Sequence, residues 1–234
     1  MFMVCLFLFL GNHITRGQVR VDHVISVVAD LAKAKQAYGD LGFLIKEGRL
    51  HENGLLNAHI KFANHSSIEL MTVQGEATDG ISRQYQRLLS EAEGGVYLAL
   101  TGHHHDSLKM LLEVLDLAVI ETRGKSWSYL SFPSDSFLAH VFFIDYHFEV
   151  SSMDDLTDHP NGMSGLKNVA IEGGDKLTRF FEAIGLWAVR DSPQVFETAT
   201  GNITVVPLQD DKDRPRVTRI QFAGDQSTEL EINW

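Results

Sequence analysis

Apolar positions along this chain switch between a strand-like and a helix-like period, and the switches recur in the same order. Residues 19–28 (VRVDHVISVV) are rich in β-branched side chains, which predicts a strand. Asp30 then stands as an N-cap before Leu31, Ala34, Tyr38 and Leu41, which share one helical face, and Gly42 ends the helix. Residues 44–49, 55–63 and 67–73 read as three further strands, with Gly54 and Asn64 marking the turns between them. The first unit is therefore βαβββ.

The order repeats. Ile81, Tyr85, Leu88 and Leu89 share one face of a connecting helix, and a second unit opens at Gly95 with the strand VYLALTG. Its helix carries Leu108, Leu111, Leu112 and Leu115, and its strands run over 119–122, 127–132 and 140–148. A polar connector rich in Asp, Gly and Ser precedes a third unit that begins LKNVAIEGGDKLTRFFEAIGL, with strands expected at 195–200, 202–207, 217–223 and 228–232. Aligned on the first unit, Asn168 falls at the place of His23 and Asp175 at that of Asp30. The chain thus divides into an apolar extension (1–18), a first module with its connecting helix (19–93), a second module (94–150), a linker (151–165) and a third, divergent module (166–234). Three copies of one supersecondary unit predict an α+β fold built from repeated modules.

Charge and cysteine content narrow the function classes. The net charge is −11 and no basic run occurs, which argues against nucleic acid as partner, because affinity for the phosphate backbone rests on Lys and Arg. The single cysteine, Cys5, allows no internal disulfide and fits a cytoplasmic location. The opening run MFMVCLFLFL is shorter than the roughly 20 residues a membrane helix needs, and it lacks the basic start and cleavage site of a secretory signal. It reads as an upstream start or an appended strand, with no membrane partner expected. GxSxG, GxxxxGK[ST], HExxH and CxxC are all absent, so hydrolase, P-loop, zincin and thiol-redox chemistries lack their signatures.

The first unit resembles the opening module of vicinal-oxygen-chelate proteins in its VDHV strand (21–24), its helix ending LGF (41–43) and its fourth strand IELM (68–71). Within that superfamily, GRLHENGLLN (48–57), FFIDY (142–146) and HPNG (159–162) resemble segments of the glyoxalase-like domain family. The resemblance implies the glyoxalase/bleomycin-resistance/dioxygenase fold: three module copies, two of them forming an open cup-shaped sheet. It also implies a divalent metal ion in the cup, held from the first and fourth strands of each paired module. His23 and Glu69 occupy those positions in the first module. Aligning VYLALTG on HVISVV puts Gly95 at the place of His23 and Asp145 at that of Glu69, so the implied ligands are His23, Glu69 and Asp145. If modules one and three paired instead, Asn168 and Glu229 would stand opposite the first pair, and Glu229 or Glu231 would replace Asp145.

Glu69 sits among Ile68, Leu70 and Met71, and a buried carboxylate costs several kcal/mol unless paired or coordinated. Imidazole and carboxylate together suit Zn, Fe, Mn or Ni. The leading reading is therefore a metal-dependent lyase or isomerase of the glyoxalase type, acting on a small molecule whose neighbouring oxygens chelate the metal, with Glu69 as base. Dioxygenase chemistry ranks lower, because the second histidine is missing. His51 and Asn57, from the family signature, are expected to contact substrate, and Arg49 offers a bidentate fork for an anionic group. The rival reading is a metal-free protein that sequesters a small molecule, with Trp127, Tyr129 and Phe132 as stacking surfaces. His147 shares the strand face of Asp145, and His103, His104 and His105 read as solvated at a helix entry. An unpaired third module predicts either a homodimer or a lid over the other two.

Overall fold

A computed structural model describes residues 19–148, 155–208, 216–224 and 230–234; the apolar N-terminal run lies outside them. The first module comprises β1 (Arg20–Val27), α1 (Leu31–Asp40), β2 (Lys46–Leu50), β3 (Leu55–Lys61) and β4 (Ser67–Val73). After α2 (Gly80–Glu91), the second comprises β5 (Gly94–Thr101), α3 (His105–Val114), β6 (Ile120–Arg123), β7 (Trp127–Ser131) and β8 (Val141–Tyr146). The third comprises β9 (Met163–Glu172), α4 (Asp175–Ala183), β10 (Trp187–Val189), β11 (Ser192–Glu197) and β12 (Asn202–Val206), followed by β13 (Val217–Gly224) and β14 (Glu231–Asn233). Local chemistry accounts for the helix starts. The Asp30 side chain accepts from Lys33 N at 3.1 Å, and Asp79 and Ser82 form a reciprocal capping box on α2.

Modules one and two share one eight-stranded sheet in the order β2-β3-β4-β1-β5-β8-β7-β6. β1 pairs parallel with β4 and antiparallel with β5, so the two modules join through their first strands. The third module repeats this wiring in a six-stranded sheet, β10-β11-β12-β9-β13-β14, in which β12 lies parallel to β9 and β13 antiparallel to it. This corrects the strand assignment above. The fourth strand of the third module is β12, and β13 takes the place beside β9 that β5 takes beside β1. The strand missed, β10, is only three residues long and ends in the turn around Asp191 (φ 64°), too short to show a period.

The convex face of the large sheet carries Val24, Ile60, Ile68, Leu70, Leu98 and Leu100 into one core with α1, α3 and the third module. Phe180 of α4 meets Phe132 and Phe143 at ring distances of 5.9 and 6.2 Å, and Phe222 of β13 meets Phe43 at 5.0 Å. Each such ring, fully buried, stabilises the packing by about 1.5–3 kcal/mol. The third module is thus buried against the back of the cup within the chain, and not over its mouth as a lid. Trp234 lies against β5, where a Cβ at Gly95 would come within 2.5 Å of its ring.

The HPNG segment is structural. His159 accepts from Leu44 N at 3.0 Å through Nδ1 and donates to Lys61 O at 2.9 Å through Nε2, while its ring packs on Phe43 and Phe62. Asn161 Nδ2 donates to Leu41 O, which ties the connector to the end of α1. The concave face of the large sheet is left for α2, whose Tyr85 and Leu88 pack on Ile25, Val27, Leu55, Met71 and Tyr97 and close one end of the cup. Ile81, read as part of that apolar face, is exposed.

Candidate functional site

Two β-bulges decide which side chains enter the cup. Between β1 and β5, Val21 pairs with Leu100 and His23 with Ala99, so Asp22 is an extra residue in β1. A bulge of this kind turns two successive side chains to one face, here Asp22 and His23. Further along, Ile25 pairs with Tyr97 and Ser26 with Gly95, which makes Val96 the extra residue in β5. The third module repeats the device, with Lys167 extra in β9 and Thr218 extra in β13. Matched bulge to bulge, the second-module counterpart of Asp22–His23 is Val96–Tyr97. Ile25 pairs with Glu69 across β1–β4 and Ala99 with Phe142 across β5–β8, so the counterpart of Glu69 is Phe142.

These registers correct two assignments. Gly95 is not at the place of His23; the position of its missing side chain faces Trp234 and Val217 O on the convex side. Asp145 is not with His23 and Glu69 either. It pairs with Ser128 on the opposite face of β8 and lines a small cavity with Thr101, His103, His105, Leu108 and Phe143. His147, on the face of Asp145, lies 2.9 Å from Ser128 Oγ through Nε2. An extra residue in a strand leaves hydrophobic alternation looking intact while exchanging its two faces, so the alignment from sequence is off by two positions at Gly95 and by three at Asp145.

Inside the cup the polar side chains form one chain of contacts. His23 Nδ1 donates to Asp22 Oδ1 at 2.6 Å, and the Tyr146 hydroxyl donates to the same oxygen at 2.9 Å. His23 Nε2 faces Glu69 Oε2 at 3.6 Å, and Asn57 Nδ2 donates to Glu69 Oε1 at 2.7 Å. Asn57 also lies 3.3 Å from His59 Nε2, and its Oδ1 accepts from Arg49 N at 2.9 Å. That last contact needs Gly48, because a Cβ there would sit 2.1 Å from Asn57 Oδ1. Asp22 and His23 are 6 % and 8 % exposed, so these interactions act in a low-dielectric setting.

Burial sets the titration of the group, and the carboxylates then reverse it at one residue. Desolvation alone would lower the His23 pKa, but the hydrogen bond and charge of Asp22, together with the charge of Glu69, outweigh it and raise the value above 6.5. His59 shows the opposite balance: burial and the neighbouring His23 lower its pKa against the pull of Glu69. Burial, reinforced by Glu69 and Asp22, raises the phenols of Tyr129 and Tyr146 well above the usual range, which keeps them protonated as donors.

Of the residues singled out from the sequence, the structure brings His23, Glu69 and Asn57 together. Asn57 is already bonded to Glu69, which makes it a support for that carboxylate. Arg49 contributes its backbone N–H, while its side chain is exposed. His51 opens the tight turn between β2 and β3, where its N–H donates to Leu55 O, and Asn53 of that turn donates to Asp79 at the start of α2. The histidine run also differs from its reading. His105 is buried with Nε2 2.9 Å from Glu121, and His103 Nε2 is buried without a hydrogen-bond partner. Asp22 and Tyr146 escaped sequence reasoning although they lie inside VDHV and FFIDY; in an unbulged strand Asp22 would point away from His23.

A profile of the glyoxalase-like domain family matches residues 21–184, more than half of the chain. The chain belongs to that family. Among solved structures, a hypothetical protein from Staphylococcus aureus is similar with a TM-score of 0.60 and 16% identity, over 82% of this chain and 87% of that one. Methylmalonyl-CoA epimerase from Mycobacterium tuberculosis is similar at a TM-score of 0.46 and 20% identity, over 58% of this chain and 95% of that one, too loosely to bear on activity. No protein of curated function matches the sequence. Among the described residues no helix is long and apolar enough to cross a membrane.

Against the glyoxalase-like pattern, the donor set of this cup is halved. The first module supplies His23 and Glu69, and the second supplies Tyr97 and Phe142. Phe142 has no donor atom, and the Tyr97 hydroxyl accepts from Gln84 Nε2 at 2.7 Å. Among the described residues no group of three or more His, Cys, Asp or Glu side chains converges as a metal cage requires. The residues present do not fit a resident metal held by four protein donors.

Proposed function

We propose that this glyoxalase-like protein binds a small oxygenated organic molecule on the concave face and moves a proton on it through His23 and Glu69, a lyase or isomerase type of reaction. One observation carries the reading. His23 Nε2 and Glu69 Oε2 face each other at 3.6 Å, beyond hydrogen-bond range, while every other polar atom of the two side chains is held by Asp22 or Asn57. Two opposed, orientated and otherwise unengaged groups in a buried cup suit general acid–base work.

The roles follow from the contacts. Asp22 holds the proton on Nδ1 and so aims Nε2 into the cup. The upward shift of the His23 pKa, set by Asp22 and Glu69 against burial, favours the form with a second proton on Nε2, ready for an oxygen that gains charge. Glu69, fixed by Asn57, removes a proton from the carbon beside that oxygen and returns it to the same or the neighbouring carbon. Each proton taken by Glu69 is balanced by one given from Nε2, and the reverse transfers regenerate the starting state.

The test is deuterium exchange. Dicarbonyl and hydroxy-acid compounds are incubated with the protein in D₂O and their C–H signals followed by NMR. Exchange catalysed by the wild type and lost in Glu69→Gln supports proton transfer. Binding without exchange across the panel would overturn it and favour the sequestration role.

A second reading rests on the same spacing. An imidazole oriented by a carboxylate is the arrangement that supports a metal-ligating histidine. A divalent ion held by His23 Nε2 and Glu69 Oε2 would bring Lewis-acid polarisation of a substrate oxygen. Calorimetric titration with Zn²⁺, Mn²⁺ and Ni²⁺, compared with His23→Ala, tests it directly.

A further inference from the structure

The two halves of the cup differ in kind. The first-module half carries the carboxylates, imidazoles and Asn57. The second-module half presents rings, because β7 and β8 pair with Trp127 opposite Tyr146 and Tyr129 opposite Ile144 on the face that also holds Phe142. The rings run in sequence toward the polar group. Trp127 lies 6.5 Å from Tyr129, Tyr129 lies 5.7 Å from Phe142, and Phe142 meets the His23 ring edge-on at 5.5 Å. All three are half-buried, and so is Tyr146, whose hydroxyl is engaged by Asp22.

The alternating residues of the same strands provide the contrast. Leu130 and Phe143 are buried in the core, and Phe132, expected from the sequence to stack on a ligand, is packed on Phe143 and Phe180. Rings used for packing are therefore covered in this protein. Trp127, Tyr129 and Phe142, at the second-module end of the concave side, are left partly open beside groups suited to chemistry. Aromatic faces favour stacked or edge-on partners, and an apolar wall with a few convergent polar atoms is the usual make-up of a small-molecule pocket. Asp22 and Glu69 stand where the wall meets the polar group, so an anionic substituent at that boundary would face two carboxylates.

We infer that Trp127, Tyr129 and Phe142 form an aromatic subsite that seats an uncharged planar ring, with the oxygen substituents of the ring turned toward His23 and Glu69. The inference rests on the concave face being the ligand site, as proposed above, and adds the class of molecule. Tyr129, at the boundary, stacks with its ring and offers a protonated hydroxyl to a ligand oxygen.

The experiment titrates catechol and its saturated counterpart, cis-cyclohexane-1,2-diol, into the full chain while the indole N–H resonances of the three tryptophans are followed by NMR. Trp127 is assigned by the signal lost in Trp127→Phe. Catechol is expected to bind about tenfold or more tighter than the diol, a difference of about 1.4 kcal/mol. It should shift the Trp127 resonance and leave those of Trp187 and Trp234 in place. Tyr129→Leu and Trp127→Leu should each weaken catechol about tenfold, whereas Trp127→Phe, which keeps a ring, should retain most of the affinity. Equal affinity for the two diols overturns the inference, as does absence of catechol binding at millimolar concentration, or binding that moves no Trp127 signal. Catechol binding that survives in a protein without proton exchange on any compound would sink the catalytic reading and leave the subsite standing.

Discussion

Tyr146 donates a 2.9 Å hydrogen bond to the Asp22 oxygen that holds His23 Nδ1 at 2.6 Å. The contact runs from β8 of the second module to β1 of the first. The second module thus orients the first module's imidazole from behind while contributing neither of the two donors its own strands would be expected to supply.

Removing the carboxylate should therefore change the titration of His23. In Asp22→Asn the charge and most of the hydrogen-bond contribution disappear while burial persists, so the His23 pKa should fall from its raised value. An NMR pH titration of the ring protons reads this, and an unchanged pKa would show that Asp22 does not govern the imidazole. The sign for stability follows. The paired, protonated His23 stabilises the fold fully below pH 6.5, and this contribution is lost as pH rises through the raised folded-state value. Asp22→Asn should lack that part of the pH dependence in denaturant unfolding.

The bulge register predicts a gain of function in metal binding. Tyr97→His together with Phe142→Glu would complete a set of four donors with His23 and Glu69. Elemental analysis after dialysis should find about one divalent ion per chain in the double variant and far less in the wild type. The same pair of changes made at Gly95 and Asp145, the positions aligned from sequence, should have no such effect.

Asn57 and Gly48 are expected to matter for stability as much as for activity. Asn57→Leu leaves Glu69 Oε1 and the Arg49 N–H without their partner, a loss of about 1–3 kcal/mol in urea unfolding. Gly48→Ala puts a methyl group against Asn57 and should cost about 1–3 kcal/mol by overpacking. Wild-type stability in Gly48→Ala would contradict the close approach of β2 to Asn57.

His103 should make the fold sensitive to acid. Burial pushes its pKa down to about 4, and its Nε2 has no hydrogen-bond partner. The unfolded chain takes up a proton near pH 6.5 while the fold resists until about pH 4, so stability is lost as pH falls through this window. The loss attributable to this residue is at most about 3 kcal/mol. His103→Phe, placed against Phe143, should flatten the pH dependence between 6.5 and 4. An unchanged slope would mean that His103 titrates normally.

The module architecture was legible in the chain because it is written in local periods. VRVDHVISVV, the capped face of Leu31 and Tyr38, and IELM each announce their element without reference to anything distant, and the order of elements announces the unit. The nearness of His23 to Glu69 was legible for the same reason, since both belong to one module whose strands are neighbours in sequence; Asn57, expected to contact substrate, is instead bonded to Glu69. The core role of His159 was not legible, because both backbone groups that fix it lie about a hundred residues away.

Local chemistry alone set out the first two βαβββ units and put His23 and Glu69 into one module, because helix caps, glycine turns and apolar alternation act over a few residues. That Tyr97 and Phe142, rather than Gly95 and Asp145, face that pair depends on how the strands pair. A β-bulge exists only against a partner strand, and the single residue it adds reverses the face of everything that follows.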